Sequence, residues 1–249
     1  MSGRALLTLS YDGTNYAGWQ RQANAISVQQ IVEEALSRLL GRAAKVVGGG
    51  RTDAGVHALG QRAMVIKPCP GDIIIPPDKL HLALNALLPS DVKALASRAV
   101  PDDFHPIRSA AAKTYVYTVY NGIVMPPVYR LYAAHERRPL DIEAIKAAAV
   151  HFIGTHDFIG FSSAGGSAAT SVRVITALET EWDGALLRLT ITGNGFLYNM
   201  ARIIAGTLIL AGLNKVRPEE FPSLIASRDR NHAGPTMPAC GLMLKNIIY

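Results

Sequence analysis

The residues best suited to chemistry stand in one stretch, Gly48-Gly49-Gly50-Arg51-Thr52-Asp53-Ala54-Gly55-Val56-His57. Four glycines between positions 48 and 55 frame a single carboxylate, Asp53, with the guanidinium of Arg51 two residues before it. Glycine is favoured where the backbone needs positive φ or must approach a partner closely, so the stretch reads as a tight turn that presents Asp53. Two readings of such a turn stand side by side. An aspartate in a glycine-rich turn often only bonds its own backbone; alternatively, it is held out as a nucleophile or base. A phosphate loop of the Walker type is disfavoured, because no Gly-Lys-Ser/Thr and no helix pattern follow the glycines.

Arg202 is the second chemical candidate. It sits in Phe196 to Leu208, a segment apolar nearly all round, which is the pattern of a buried helix. Asn199 and Gly206 fall on its side of that helix, at i−3 and i+4. A guanidinium cannot be neutralised. It must snorkel to water or meet an acid, and Asp53 is the best candidate among the acids. The tyrosines of Lys113 to Tyr120 come next: Tyr115 and Tyr117 share one face of an expected strand, and Tyr120 lies on the other. They suit either a core or a stacking surface. In the opening segment, Tyr11, Tyr16 and Trp19 interleave with amides and Arg21, a mixture that suits base stacking with phosphate contact, or an ordinary folded loop.

The elements that must position these groups follow from periodicity. A strand is expected over Ala5 to Tyr11. Ser27 and Gln30 have capping-box spacing, Val28 to Leu40 carries one apolar face, and Gly41 ends that helix. A strand over Arg62 to Lys67, a loop over Cys69 to Pro77, a helix over Asp78 to Leu87 and a strand over Val92 to Val100 complete an α/β unit. After a connector at Phe104 to Arg108, the second half offers the tyrosine strand, a helix over Asp141 to Ile153 and a small-residue loop over Ala164 to Ala169. A hairpin turning at Asp183-Gly184, the Arg202 helix and a last strand over Met243 to Tyr249 follow. The expectation is two similar α/β domains, 1–105 and 106–249.

At 249 residues, 49% hydrophobic and 18% charged, the chain has material for a packed core. Its net charge of +6 favours a polyanionic partner. Two cysteines, Cys69 and Cys240, without Cys-x-x-Cys spacing, argue against a metal cluster. The longest apolar run, Ile203 to Leu213, is shorter than the roughly 20 residues of a membrane span. With no signal-like opening, a cytoplasmic protein is expected.

In order along the chain, several segments resemble the TruA-type tRNA pseudouridine synthases. They are Tyr11-Asp12-Gly13, Gly18-Trp19-Gln20-Arg21-Gln22, Ser27-Val28-Gln29, Gly50 to Ala58, Leu84 to Pro89, Lys113 to Tyr117, His156-Asp157-Phe158, Asn194 to Met200, Arg202 and Gly241-Leu242. The resemblance implies the pseudouridine synthase fold, two α/β domains whose sheets join around a basic cleft. It implies an isomerase without cofactor or metal, acting as a homodimer on neighbouring uridines, positions 38 to 40, of the tRNA anticodon stem-loop. By position Asp53 matches the catalytic aspartate, Arg202 its pairing arginine, and Tyr115 the tyrosine that stacks on the target base. Arg51 matches the arginine that fills the gap left by the flipped nucleotide, and Leu242 an apolar residue of the uracil pocket. Tyr117, His57 and Arg21 stand in matched segments as further candidates for substrate contact. One departure is visible: where the family writes Phe-His-Ala-Arg, this chain has Phe104-His105-Pro106-Ile107, with arginine one place later at Arg108. On an extended segment that shift would turn the guanidinium away. A catalytically silent RNA-binding protein is the alternative; the presence of Asp53, Tyr115 and Arg202 together argues against it.

Overall fold

The computed structural model describes residues 4–66, 75–166 and 168–249. In chain order its elements are β1 (Arg4–Tyr11), α1 (Val28–Leu40), β2 (Lys45–Gly48), β3 (His57–Ile66), α2 (Leu80–Asn85) and β4 (Val92–Val100), then β5 (Ala112–Asn121), β6 (Ala134–Glu136), α3 (Ile142–Ala149), β7 (Gly154–Asp157), β8 (Val172–Trp182), β9 (Leu186–Gly193), α4 (Met200–Gly212), α5 (Phe221–Ser227) and β10 (Leu242–Ile248). They fall into two compact units, residues 1–111 with 244–249, and residues 112–243. The expected division at 105/106 gives the last strand to the second half, whereas contacts group its residues from Leu244 onward with the first.

In the first unit the strand order is β4-β1-β3-β10, with β2 paired to the far part of β3. β1 pairs antiparallel with both β3 and β4, and β2 with β3, as in an α+β sheet. β1 alternates in register between β3 and β4, and its Leu7 and Leu9 are fully buried. Helix α1 forms as its spacing dictates. Ser27 caps it by accepting from the Gln30 amide at 3.3 Å, and Gly41 closes it in the left-handed region at φ 68°. The reciprocal half of the capping box is not made, because the Gln30 side chain donates to Glu34 instead. Burying Val28, Val32, Ala35 and Leu36 supplies about 1.5–3 kcal/mol for each large side chain.

Two expectations shift here. The strand expected from Arg62 begins at His57, so the glycine stretch is the connection of the β2–β3 hairpin, and β2 itself was not anticipated. The helix expected over Asp78 to Leu87 is confined to Leu80–Asn85. The expected Cys69–Pro77 loop lies, through Ile74, outside the described residues, and so does Cys69.

In the second unit the order is β5-β9-β8-β7, with the short β6 parallel to β5. The β8–β9 hairpin turns where expected, with Asp183 accepting from the Ala185 and Leu186 amides and Gly184 at φ 92°. Helix α3 stops at Ala149 and gives way to a single 3₁₀ turn over Val150–Phe152. Phe152 then gathers Phe158, Phe161 and Phe221 into an aromatic core, with ring centroids 5.2–6.5 Å apart. No helix among the described residues is long and apolar enough to cross a membrane.

Candidate active site

Asp53 stands at the first position of a tight turn. The Val56 amide donates to the Asp53 carbonyl at 3.1 Å, and Gly55 takes the positive φ of 77° that the third position of a type II turn requires. Asp53 is half-buried and Arg51, two residues before it, is exposed. Neighbouring residues fix the turn from both sides. Trp19 N–H donates to the Thr52 carbonyl at 3.0 Å, and Gly55 N–H to the Tyr16 carbonyl at 3.2 Å. Thr52 is buried and its hydroxyl bonds the phenol of Tyr11 at 2.8 Å. Burial pushes the Tyr11 phenol far up, so it keeps its proton for this bond. On the other flank, Gln61 donates to the Gly50 carbonyl at 2.8 Å.

Much of the glycine requirement falls on the opposing loop. A Cβ on Gly18 would lie 2.4 Å from the Thr52 carbonyl oxygen and 2.9 Å from the Asp53 carbonyl carbon; one on Gly13 would lie 2.0 Å from the Val56 oxygen. The loop after β1 therefore backs onto the Asp53 turn at backbone-to-backbone distance. Its aromatics serve that packing. Tyr11, Tyr16 and Trp19 are buried, and the Tyr11 and Trp19 rings stack at 6.3 Å, so the base-stacking reading of this loop gives way to a scaffold.

His57 lies inside the same knot, 4% exposed, its Nδ1 accepting from the Gly13 amide at 3.1 Å with Asp12 Oδ1 also at 3.1 Å. Through Nδ1, His57, expected as a substrate contact, ties the first loop to the turn. Arg21 is exposed, and donates to the buried carboxylate of Glu33 at 3.2 Å. Glu33, on the helix read from sequence only as scaffold, also accepts from Gln29 and from the Val46 amide on β2, which leads into the glycine stretch. A polar residue on an otherwise apolar face was the available signal.

The second unit carries the other candidates. Tyr115 is 6% exposed, and Phe196 meets it edge-on at 4.9 Å. Phe196 stands in a matched segment yet was not singled out from sequence. Tyr117, on the same strand face, is fully buried and donates to the Pro238 carbonyl at 2.8 Å. Its ring lies against Gly241, where an added Cβ would come within 2.7 Å. Tyr117, expected as a substrate contact, supports the turn that leads into Leu242, itself buried.

Arg202 does not occupy the middle of its helix. Tyr198 and Asn199 form a turn, Asn199 adopts φ 62°, and α4 starts at Met200, leaving Arg202 in the first turn and partly buried. Its Nε donates to the Met237 carbonyl at 2.6 Å and its NH1 to Asn199 Oδ1 at 2.7 Å. The Met237 carbonyl is in reach because the 234–237 segment packs on α4 at Gly206, where a Cβ would lie 2.0 Å from the Pro235 oxygen. Gly234 N–H also bonds Thr207 Oγ1. Near the family departure, residues 106–109 form a turn in which His105 Nδ1 accepts from the Ile107 and Arg108 amides. Strand alternation therefore does not set the direction of Arg108, contrary to the expectation. Cys240 is a free thiol, half-buried against the Ala133 carbonyl.

Comparison with known proteins gives consistent matches. The family model for tRNA pseudouridine synthase matches residues 8–107 and 148–249. "tRNA pseudouridine synthase A" of Acetivibrio thermocellus is 45% identical over 243 residues, 98% of each chain. The protein of that name from Ruminiclostridium cellulolyticum is 45% identical over 98% of each chain, and that of Pelobacter propionicus 44%. Among solved structures, a Cbf5-Nop10-Gar1 complex aligns at 12% identity with a TM-score of 0.36, covering 96% of this chain and 48% of that one.

Proposed function

Because this chain belongs to the tRNA pseudouridine synthase family, we propose that it isomerises uridine to pseudouridine in the anticodon stem-loop of tRNA, with Asp53 as the catalytic carboxylate. The reaction breaks the bond between N1 of uracil and C1′ of ribose, and forms one between C5 and C1′. The C5 proton leaves and N1 gains one, so substrate and product are isomers. Asp53 either adds to C1′ or takes a ribose proton, and both roles require an ionised, aimed carboxylate. The observation that carries the reading is near end-to-end similarity to enzymes of that name, combined with a turn that holds Asp53 rigidly through its neighbours' backbone.

The remaining roles follow the matched positions. Arg202 is assigned as the cation that keeps Asp53 ionised, and its guanidinium is already oriented by Met237 and Asn199. Tyr115, braced by Phe196, is assigned to the target base. Arg51 is exposed, as a side chain must be to enter the gap left by a flipped nucleotide. Leu242 is assigned to the uracil pocket, with Tyr117 behind it. A homodimer and a cytoplasmic location complete the proposal, and sedimentation equilibrium checks the first.

The test is tritium release from tRNA transcripts carrying C5-labelled uridine, for wild type and Asp53→Ala, with tRNA binding measured on both. Release by the wild type alone, with binding by both, is expected. Binding without release by the wild type, across a broad tRNA pool, overturns the isomerase reading in favour of a silent RNA-binding protein.

A further inference from the structure

One face of the second unit's sheet gathers basic side chains that the proposed chemistry leaves without a role. Lys113 is on β5 two residues before Tyr115, so both point to the same face, about 7 Å apart along the strand. Across the ladder Lys113 faces Gly193 on β9, and Gly193 in turn faces Ile175 on β8. Arg173, two residues before Ile175, shares that face, and opposite Arg173 on β7 stands His156. Lys113 and Arg173 therefore stand on one face of the sheet, on the strands either side of Gly193, with Arg173 one step further along β8 than the buried Ile175, whose Cδ1 lies over that glycine. Arg173 lies over Gly195, where a Cβ would fall 3.3 Å from its Nε. Gly195 immediately precedes Phe196, the ring that braces Tyr115.

Among the described residues, Arg173 and His156 bond hydroxyl and carbonyl oxygens. Arg173 NH1 donates to Thr170 Oγ1 at 3.2 Å and to its neighbour's carbonyl, from Val172, at 2.6 Å. His156 Nε2 lies 3.3 Å from the Ile153 carbonyl oxygen. The nearby acid, Asp157, belongs to the other face of β7 and is engaged by Arg228 at 3.5 Å. Burial, and then the charge of Arg173, pull the Lys113 ammonium below its ordinary range. Two like charges side by side on a half-buried face destabilise each other unless an anion lies between them.

We propose that Lys113 and Arg173 form a phosphate-binding pair that holds a backbone phosphate of the RNA strand beside the nucleotide stacked on Tyr115. The inference rests on the isomerase reading for its ligand, and it supplies what Tyr115 lacks. A stacked ring is indifferent to where along the strand it sits, whereas a phosphate clamped at a fixed distance sets the register. Gly195 places no side chain beneath the Arg173 guanidinium, which leaves that edge of the face open to a phosphate.

The test compares full-length wild type with Lys113→Gln, Arg173→Gln and the double variant, with Lys113→Arg as the charge-keeping control and thermal melts to verify folding. Dissociation constants for tRNA are measured against salt, and KM and kcat by tritium release. The double variant is expected to raise KM about ten-fold, as for losing a charge-assisted contact, with kcat little changed. The plot of log affinity against log salt should flatten by about 0.7 to 0.9 for the lost phosphate contact. Lys113→Arg should keep the wild-type slope. An unchanged slope and KM in folded variants overturns the proposal; should the double variant not fold, the exposed-side Arg173→Gln change decides alone. Inorganic phosphate is titrated in parallel. Saturable, Arg173-dependent binding of free phosphate without any effect of the substitutions on tRNA would replace the RNA ligand with a free anion. If the wild type binds tRNA without releasing tritium and the slope still responds, the isomerase reading falls and the phosphate pair stands.

Discussion

At the scale of single residues, Tyr115 and Tyr117 are the instructive pair. They are the same residue type, two apart, on one face of one strand, and nothing local separates their roles. The structure commits the Tyr117 phenol to the Pro238 carbonyl inside the second unit, and burial keeps it protonated. Tyr117→Phe should therefore cost about 1 kcal/mol of stability in urea melts, the worth of one buried hydrogen bond, and leave kcat for tritium release near wild type. Tyr115→Phe should do the reverse. If its phenol takes the C5 proton, kcat falls on the order of 10²-fold, the scale of general acid–base catalysis. Equal effects of the two changes on kcat would remove the Tyr115 phenol from the proton transfer and leave its ring to stacking alone. His57 is a parallel case: a histidine in a chemically loaded motif ties Gly13 to the turn through Nδ1.

At the scale of elements, the aspartate turn is a property of two segments. Gly55 supplies the turn's own positive φ, but the precision of Asp53 comes from the loop after β1 pressing on its backbone. Gly18 is the most exacting contact, since it combines φ 83° with a would-be Cβ 2.4 Å from the Thr52 oxygen. Gly18→Ala should displace the turn. The expected signature is a fall in kcat of ten-fold or more, by the cost of misplacing a catalytic group, with tRNA affinity nearly kept. A wild-type kcat in Gly18→Ala would show that the loop does not aim Asp53. The start of α4 was illegible for a related reason. Apolar periodicity runs unbroken from Phe196 to Leu208, yet Asn199 leaves the right-handed region, and hydrophobicity carries no record of φ. Helix α1, by contrast, was legible to the residue, because a serine cap, an apolar face and a closing glycine act locally.

At the scale of the whole molecule, the chain's last residue helps to complete its first unit. Tyr249 packs on Phe104 at 5.0 Å and donates to the Pro106 carbonyl at 3.0 Å. Burial pushes its phenol up to about 12, against the opposing pull of Arg62 and Arg98. A raised phenol is favoured in its protonated form by the fold, so its contribution is fully present below the ordinary tyrosine value of 10.0. It is lost as pH rises from there through about 12. Urea melts across that window should show stability falling with pH, and less steeply in Tyr249→Phe. An identical slope in the variant would mean that Tyr249 titrates as an exposed phenol.

The sequence by itself determined the family, the basic balance, and the elements whose caps and periodicity are local, and it nominated Asp53, Arg202, Tyr115 and Arg51 as site residues. Those features depend on residue type and near spacing, which a linear chain records in full. Only the tertiary structure decided that the aromatics after β1 are scaffold, that His57 and Tyr117 face inward, and that Glu33 serves β2 from the helix before it. It also decided that the final strand returns to the first unit, and that Lys113 and Arg173 share a face across Gly193. Each of these rests on contacts between residues far apart in the chain. Such contacts are set by strand order and register, and register is a choice among pairings that a single strand's pattern does not make.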